Sequence, residues 1–244
     1  MHTAIVTGVS RGLGEALANA LLQRGYVVLG VGRASSARLA GPNYRFVECD
    51  LAEPARVADA LREPFSKLAA SRPEYVCLIN NAAVGTPIGV FGTLDATEIS
   101  RSLAVNLSAP FALANLFCQV FADRFIPRRI INVSSGAASN TMPGVSGYCV
   151  AKAGLEMLTR SLAAEEQGDL FRAITVRPGV IDTGMQEFMR SQPKEALPVV
   201  ALFEGFHADG KLVLPDITAA VIVEKLVVDQ VEHGLTYTYQ ELAA

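Results

Sequence analysis

Short apolar runs and helical segments alternate along the chain. Runs of β-branched or aliphatic residues bounded by turn-forming residues are typical of buried strands. A weaker run, LTYTYQEL, is the last of them, and the six stronger ones are TAIVTG, YVVLGVGR, YRFVECD, YVCLINNAA, RRIINVSSG and FRAITVRPG. Their nearly continuous apolar character predicts parallel strands that are covered on both faces.

Helical patterns fill the intervals between these runs. The first, GEALANALLQRG, ends at Gly25, a residue that commonly closes helices. Two long helices are predicted at Thr97–Phe125, despite Pro110, and at Tyr148–Gln167, and the others are EPARVADALREPFSKLAA and DITAAVIVEKLVVD. This alternation predicts a single α/β domain over residues 1–244, a Rossmann-type doubly wound parallel sheet with helices on both faces.

One segment, residues 184–214, interrupts the alternation. It contains two prolines and several glycines and is predicted to be mostly irregular. A long excursion inside a compact domain is commonly a lid, so we expect this segment to close over a substrate. Its large apolar side chains could form a wall of that site or pack on the core, and these residues are Met185, Phe188, Met189, Leu202, Phe203 and Phe206.

Composition narrows the class of function. Half of the 244 residues are hydrophobic and the formal net charge is -3, which does not indicate a nucleic-acid-binding surface. We find no signal-peptide pattern and no apolar run of the roughly 18 residues that a membrane span needs. The four cysteines and three histidines lack the spacing of a metal site. We therefore expect a cytoplasmic protein with reduced cysteines, no metal and no membrane partner.

The turn after the first strand, TGVSRGLG, is rich in glycine. Glycines between a strand and a helix let the backbone approach a pyrophosphate at the helix N-terminus, although a turn without a ligand is the alternative. The second strand ends in GVGR, without the acidic residue that binds the ribose 2′-hydroxyl of NAD. Arg33 at that tip and Arg11 in the turn are suited to a 2′-phosphate, so the sequence favours NADP.

Tyr148 and Lys152 are four residues apart and lie on one face of a predicted helix. The pair is compatible with proton transfer, and also with an ordinary helix whose lysine is solvated. The spacing alone does not choose between these interpretations.

Several short motifs occur in an order that resembles the short-chain dehydrogenase/reductase family over essentially the whole chain. They are TGVSRGLG, CDL, NNAA, VN, SS, YCVAK and RPGVIDT. The resemblance implies four catalytic residues, Asn106, Ser135, Tyr148 and Lys152, with Ser135 preferred over Ser134 because of its spacing from the tyrosine. It also implies a set of NADP-binding residues, namely Gly8, Ser10, Arg11, Gly12, Leu13, Gly14, Arg33, Asp50, Leu51, Asn80, Ala82, Tyr148, Lys152, Pro178, Gly179, Ile181 and Thr183. Ala83 departs from the family, which usually has glycine there.

The resemblance implies that a carbonyl accepts a hydride from the nicotinamide and a proton from Tyr148. Lys152 is expected to lower the pKa of that tyrosine from its ordinary value of about 10 and to bind the nicotinamide ribose. Ser135 would hold the carbonyl oxygen, and Asn106 would hold a water that resupplies the proton. Each residue also has a structural interpretation, such as a cap at a strand end for Ser135 or a backbone hydrogen bond for Asn106.

Four longer segments are similar to the benzil reductase group, which is related to the sepiapterin reductases. They are INVSSGAASN, GYCVAKAG, RPGVIDTGMQ and ADGKLVLPD, and they imply NADPH-dependent reduction of a vicinal dicarbonyl compound. The alternatives are a 3-oxoacyl or sugar-alcohol reductase of the same family and a cofactor-binding regulator without turnover. Cys149 is expected to be structural.

The family resemblance also implies assembly through the two long helices. A homodimer is expected, with a tetramer as the alternative. Small residues that would permit close packing are Ala104, Ala109, Ala112, Ala151, Ala153 and Gly154.

Overall fold

The computed structural model describes residues 1–123, 125–166 and 168–244. Within them, seven parallel strands form one sheet in the order β3-β2-β1-β4-β5-β6-β7. The strands are β1 His2–Thr7, β2 Val27–Gly32, β3 Tyr44–Glu48, β4 Tyr75–Asn80, β5 Arg128–Val133, β6 Phe171–Arg177 and β7 Thr236–Thr238. The strand order reverses between β1 and β4, which is the switch point of a doubly wound sheet, and the predicted fold class is confirmed.

Helices cover both faces of this sheet. They are α1 Gly12–Gln23, α2 Pro54–Ala70, α3 Ala96–Leu103, α4 Ala109–Val120, α5 Ser146–Glu165, α6 Gly184–Arg190, α7 Val200–Ala208, α8 Pro215–Ile222 and α9 Tyr239–Ala243. Leu17 of α1 and Ile222 of α8 are buried on one face, and Leu61 of α2 and Phe117 of α4 are buried on the other. The apolar stripes of the helices thus enclose the sheet in two separate cores.

The predicted helix at Thr97–Phe125 is three segments. A π-helical turn at Ala104–Ser108 joins α3 to α4. Pro110 lies in the first turn of α4, directly after that π-helical turn, and it lacks the N–H that would continue the helical hydrogen-bond ladder. The helix ends at Val120, earlier than predicted. Arg124, inside the predicted range, and Gln167, the predicted end of α5, lie outside the described residues.

The combined helix Ala96–Val120 is the one helix of the described chain that is long and apolar enough to cross a membrane by these two criteria. Polar residues such as Asn106 and Asn115 interrupt its apolar sequence, so it contains no continuous apolar run of that length. Leu113 and Phe117 are fully buried in the protein core. In its most apolar window 44% is buried inside the protein, so part of its apolar surface packs the domain.

Two predicted segments have more helix than expected. Residues 184–214 contain α6 and α7 and are not mostly irregular. In LTYTYQEL only Thr236–Thr238 pairs with β6, and α9 follows at once. Thr238 accepts a hydrogen bond from the Glu241 backbone N–H, and Glu241 accepts one from the Thr238 N–H, which is the reciprocal cap of a helix start.

A chain of buried polar side chains crosses the carboxyl half of the sheet to α5. Asn80 of β4 donates to Asn132 of β5 (2.9 Å), and Asn132 donates to Thr159 of α5 (2.9 Å). Thr175 of β6 donates to the same Thr159 hydroxyl (2.7 Å). Because buried polar groups require partners, this chain fixes how three strands and α5 are placed relative to one another.

Gly14 is the glycine whose replacement should disturb the fold most directly. A Cβ there would overlap the Gly8 carbonyl oxygen and the Asn81 side-chain amide. We expect Gly14→Ala to lower the free energy of unfolding by about 2 kcal/mol, as overpacking does, in urea denaturation. Gly205→Ala in α7, where a Cβ meets nothing within 4 Å, is the control and should not destabilise; an equal loss in both variants would contradict the packing argument.

Candidate active site

Polar groups collect at the carboxyl edge of the sheet, where β1, β4, β5 and β6 end. The turn after β1 has Gly8 and Gly12 at φ of +75° and +62°, a region that glycine adopts without strain. Gly8 approaches Ala82 so closely that a Cβ would lie 2.8 Å from the Ala82 Cα. The turn leads into the N-terminus of α1, whose unpaired N–H groups favour an anion.

Thr7 and Asn81 hold this turn in place, and the sequence analysis assigned no role to either. The Thr7 hydroxyl accepts hydrogen bonds from the backbone N–H groups of Asn81 (2.9 Å) and Ala82 (3.0 Å). The Asn81 amide donates to the Thr7 carbonyl (2.9 Å). Both residues belong to motifs of the sequence, TGVSRGLG and NNAA. Their hydrogen bonds join the end of β1 to the end of β4, and this contact arises only in the tertiary structure.

The side chains of Asn80 and Asn106 are used inside the protein. Asn80 is 2% exposed and bonded to Asn132, so only its backbone can face the open edge. Asn106, in the π-helical turn, accepts from the Val84 N–H and donates to the Val84 carbonyl, both at 2.9 Å. The Asn106 amide is therefore occupied by Val84, in a type of turn that is frequent at functional sites.

The two serines after β5 differ in their surroundings. Ser134 is buried and donates to Glu156 of α5 (2.9 Å). Ser135 is half-buried, caps a short 3₁₀ turn by accepting from the Ala137 N–H (3.2 Å), and hydrogen-bonds with Tyr148. The capping role that the sequence left open is thus present, and it leaves the Ser135 hydroxyl beside the Tyr148 phenol.

Lys152 is almost completely buried below Tyr148. Its ammonium donates to the Val133 carbonyl (2.7 Å) and lies 5.5 Å from the centre of the Tyr148 ring. Burial lowers the pKa of Lys152 to about 8. Burial raises the pKa of Tyr148 to about 12, and the hydrogen bond with Ser135 offsets part of that rise. The expected lowering of the tyrosine pKa by Lys152 is therefore wrong for this structure, because desolvation is the larger effect.

The remaining cofactor-binding candidates surround the same edge. Arg11 and Arg33 are exposed, and Arg11 reaches to within 4.0 Å of where a Cβ of Gly184 would lie. Thr183 lies against Gly12, and Gly179, at φ +77°, packs against Tyr239 of α9. The rest vary in exposure: Ser10 and Asp50 are exposed, Ile181 is half-buried, and Leu13 and Leu51 are buried.

A short β-bridge joins the two ends of segment 184–214. Ile181 pairs with Val213, and the Asp182 and Val213 N–H groups donate to the carbonyls of Val213 and Val180, both at 2.9 Å. Both ends of the segment are therefore fixed beside the predicted nicotinamide position, with α6 and α7 projecting from it.

Tyr148 also contacts a third apolar cluster, which we call the apolar wall. Its buried members are Val145, Met189, Leu197 and Val200, and half-buried residues packed against them are Ile88, Met142, Tyr148, Cys149, Met185, Val199 and Phe203. Of the side chains whose role the sequence left open, Met185, Met189 and Phe203 belong to the wall, whereas Phe188 and Leu202 are exposed. Among the described residues no group of three His, Cys, Asp or Glu could hold a metal ion.

The buried ammonium predicts a pH-dependent stability. Folded Lys152 loses its proton near pH 8, whereas the unfolded chain keeps it until about 10.5, so the unfolded state binds more protons between these values and stability rises with pH. We expect wild type to gain about 2 kcal/mol of unfolding free energy relative to Lys152→Met between pH 8 and pH 10, from the size of the shift. Urea denaturation of both proteins measures the difference, and parallel pH curves would contradict the burial of a titrating amine.

Comparisons with known proteins agree with this site. The sequence profile described as short chain dehydrogenase matches residues 2–194. Benzil reductase ((S)-benzoin forming) of Bacillus subtilis (strain 168) is 32% identical over 243 residues, covering 99% of each chain. Sepiapterin reductase of Meriones unguiculatus is 33% identical over 202 residues, covering 76% of each chain. The KRED1-Pglu enzyme structure matches with a TM-score of 0.82 at 27% identity, covering 97% of this chain and 100% of that one.

These matches confirm the resemblance to the benzil and sepiapterin reductases. The profile spans well over half of the chain, and the fold of this chain matches that of a solved structure over nearly its whole length. The chain therefore belongs to the short-chain dehydrogenase family of nicotinamide-dependent oxidoreductases.

Proposed function

We propose that this protein is an NADPH-dependent carbonyl reductase that acts on ketones with an apolar or aromatic substituent, vicinal diketones of the benzil type above all. The observation that carries the proposal is the placement of Ser135, Tyr148 and buried Lys152 at the carboxyl edge, directly beside the apolar wall. The hydrogen-bonding groups and the apolar side chains of the wall are neighbours, and Tyr148 belongs to both. That combination suits a carbonyl oxygen joined to a hydrophobic body.

The residues present fit a nicotinamide dinucleotide. Gly8 and Ala82 are in close contact at the mouth of the turn, and the N-terminus of α1 follows, which suits a pyrophosphate. The ammonium of Lys152 donates one hydrogen bond to a backbone carbonyl, and its two other N–H donors would serve the ribose hydroxyls. Arg11 and Arg33 are exposed at the adenosine end, which supports NADP over NAD. When bound, the reduced dinucleotide supplies the hydride.

The protein side of the reaction is proton donation to the carbonyl oxygen. With a pKa raised to about 12, Tyr148 holds its proton at neutral pH, so it enters each cycle as an acid. Ser135 adds a second hydrogen bond to the oxygen on which negative charge develops. Lys152, with a pKa of about 8, is charged at neutral pH. A cation one turn away favours the tyrosinate that remains after donation, and the Asn106 backbone would hold the water that resupplies the proton.

The proposal includes segment 184–214 as a lid, since α6 and α7 supply Met185, Met189 and Phe203 to the apolar wall. It also includes a cytoplasmic homodimer, with a tetramer as the alternative. Of the small residues first expected between protomers, Ala109 and Ala151 are buried within the protomer and Gly154 packs against Leu107. The exposed apolar residues of α4 and α5, which are Phe111, Val150 and Met157, support contact between the same two helices.

Replacing Tyr148 by Phe tests the reaction. With NADPH and a panel of benzil, sepiapterin, 3-oxoacyl and sugar ketones, wild type should oxidise NADPH fastest with the aromatic diketone. Tyr148→Phe should lower kcat about 10³-fold, since it removes the acid, and should leave NADPH binding largely intact. Tyr237→Phe is the control and should retain activity. No turnover of any ketone by wild type would favour the regulator, and an active Tyr148→Phe would exclude this residue as the donor.

Replacing Arg33 by Ala tests the cofactor. Loss of a charge-assisted hydrogen bond to the 2′-phosphate should reduce kcat/KM for NADPH about 10- to 100-fold and leave that for NADH unchanged. Arg45→Ala, an exposed arginine near the start of β3, should change neither. A wild-type preference for NADH would overturn the NADP assignment.

A further inference from the structure

Glu156 is a buried carboxylate that the proposed mechanism does not use. It is 8% exposed and lies on α5 one turn after Lys152, so both side chains share a face of the helix. A buried carboxylate is unfavourable unless it is paired and hydrogen-bonded. Its partners therefore show what holds it there.

The carboxylate accepts three hydrogen bonds from two elements of the sheet. Arg177, the last residue of β6, donates from Nε to Oε1 (2.8 Å) and from Nη2 to Oε2 (2.9 Å), which is the bidentate fork of a strong pair. Ser134, which follows β5, donates to Oε1 (2.9 Å) and lies 3.4 Å from the Lys152 carbonyl. One side chain thus joins the ends of β5 and β6 to α5.

These three attachment points adjoin the residues of the proposed reaction. Ser134 is directly followed by Ser135, and Arg177 is directly followed by the Pro178–Gly179 turn. Glu156 lies one helical turn after Lys152. A shift of this carboxylate would move all three at once, and displacements of about 1 Å at such positions can reduce rates about 10²-fold.

Glu156 also lies on the part of α5 that carries Lys152. The acid one turn from its ammonium is Glu156, and Arg177 engages both oxygens of that acid. Glu241 of α9 is a second carboxylate that acts on Arg177. The other titratable groups on this part of α5 are Tyr148 and Cys149, and Cys149 acts on Tyr148. The bond that Lys152 makes to protein is to the Val133 carbonyl, which leaves its charge without a carboxylate partner.

We propose that Glu156 and Arg177 are positioning residues of the reductase: the Glu156 carboxylate ties Ser134, α5 and β6 together, and Arg177 shields Lys152 from that carboxylate. This inference rests on the proposed function. If it holds, removing either partner changes the charge seen by Lys152, and the two removals act in opposite directions.

The test is the pH dependence of kcat/KM in four variants. Arg177→Met leaves a buried carboxylate near Lys152, which favours the ammonium, so the alkaline limb should move up by about one pH unit. Glu156→Gln leaves an unpaired guanidinium, so the alkaline limb of the kcat/KM profile should move to lower pH. This shift should be smaller than that of Arg177→Met, because the Arg177 side chain is 25% exposed to solvent. The double variant should return the limb to the wild-type pH. Arg177→Lys keeps the charge without the fork, so its limb should stay in place while kcat falls about tenfold.

A merely structural pair would lower kcat and Tm in every variant without opposite shifts, and that result would overturn the proposal. Arg24→Met, which breaks the exposed Arg24–Glu224 pair (2.8 Å), is the matched control. The pH dependence of the NADPH Kd gives the same comparison without turnover. An inactive wild type would therefore refute the proposed function alone, whereas unshifted limbs and binding curves would refute this inference alone.

Discussion

The burial of the Lys152 ammonium against the end of β5 is the constraint on which the rest of the site depends. A charged group leaves water only where its hydrogen bonds are replaced, and the Val133 carbonyl replaces one of them at 2.7 Å. Lys152 therefore fixes the height of α5 along β5. Tyr148, one turn earlier on the same face, is then held over the strand end, within hydrogen-bonding reach of Ser135.

Two buried polar systems keep α5 at that height. One runs from Asn80 through Asn132 and Thr159 to Thr175, and the other joins Ser134, Glu156 and Arg177. Removing one member of a buried hydrogen-bonded set leaves an unsatisfied partner at a cost of about 1–3 kcal/mol. The sheet and the helix that carry the site are thus bonded to each other by directional contacts, and the position of α5 does not depend on apolar packing alone.

The same burial sets the two pKa values apart, with Tyr148 at about 12 and Lys152 at about 8. Desolvation favours the neutral form of each group, so it acts upward on the phenol and downward on the amine. A tyrosine that stays protonated beside an amine that is charged at neutral pH is a workable acid with a nearby cation. The two shifts have opposite signs because the phenol is charged when it loses its proton, whereas the amine is charged when it holds one.

The sequence by itself determined the order of strands and helices, the parallel sheet and the edge at which the site lies. Runs such as YVCLINNAA have apolar side chains on both faces of the strand, and these are buried only when the sheet is covered on both sides. The carboxyl ends of parallel strands then meet at one edge of the sheet. It also indicated Ser135, Tyr148 and Lys152 through their motifs. The capping pair Thr238 and Glu241 was present in the sequence as well, yet the strand-like residues around it concealed the helix start.

Only the tertiary structure decided which polar groups are free to act. Asn80 and Asn106 look like site residues in the sequence, but their amides are bonded to Asn132 and Val84, which lie 52 and 22 residues away in the chain. The roles of Thr7, Asn81 and Glu156 likewise follow from hydrogen bonds to residues that are distant in the chain. The rise in the Tyr148 pKa belongs here too, because desolvation depends on what surrounds a group in three dimensions. Local spacing fixes which residues share a helix face, and it contains no information about the partners that the fold brings to them.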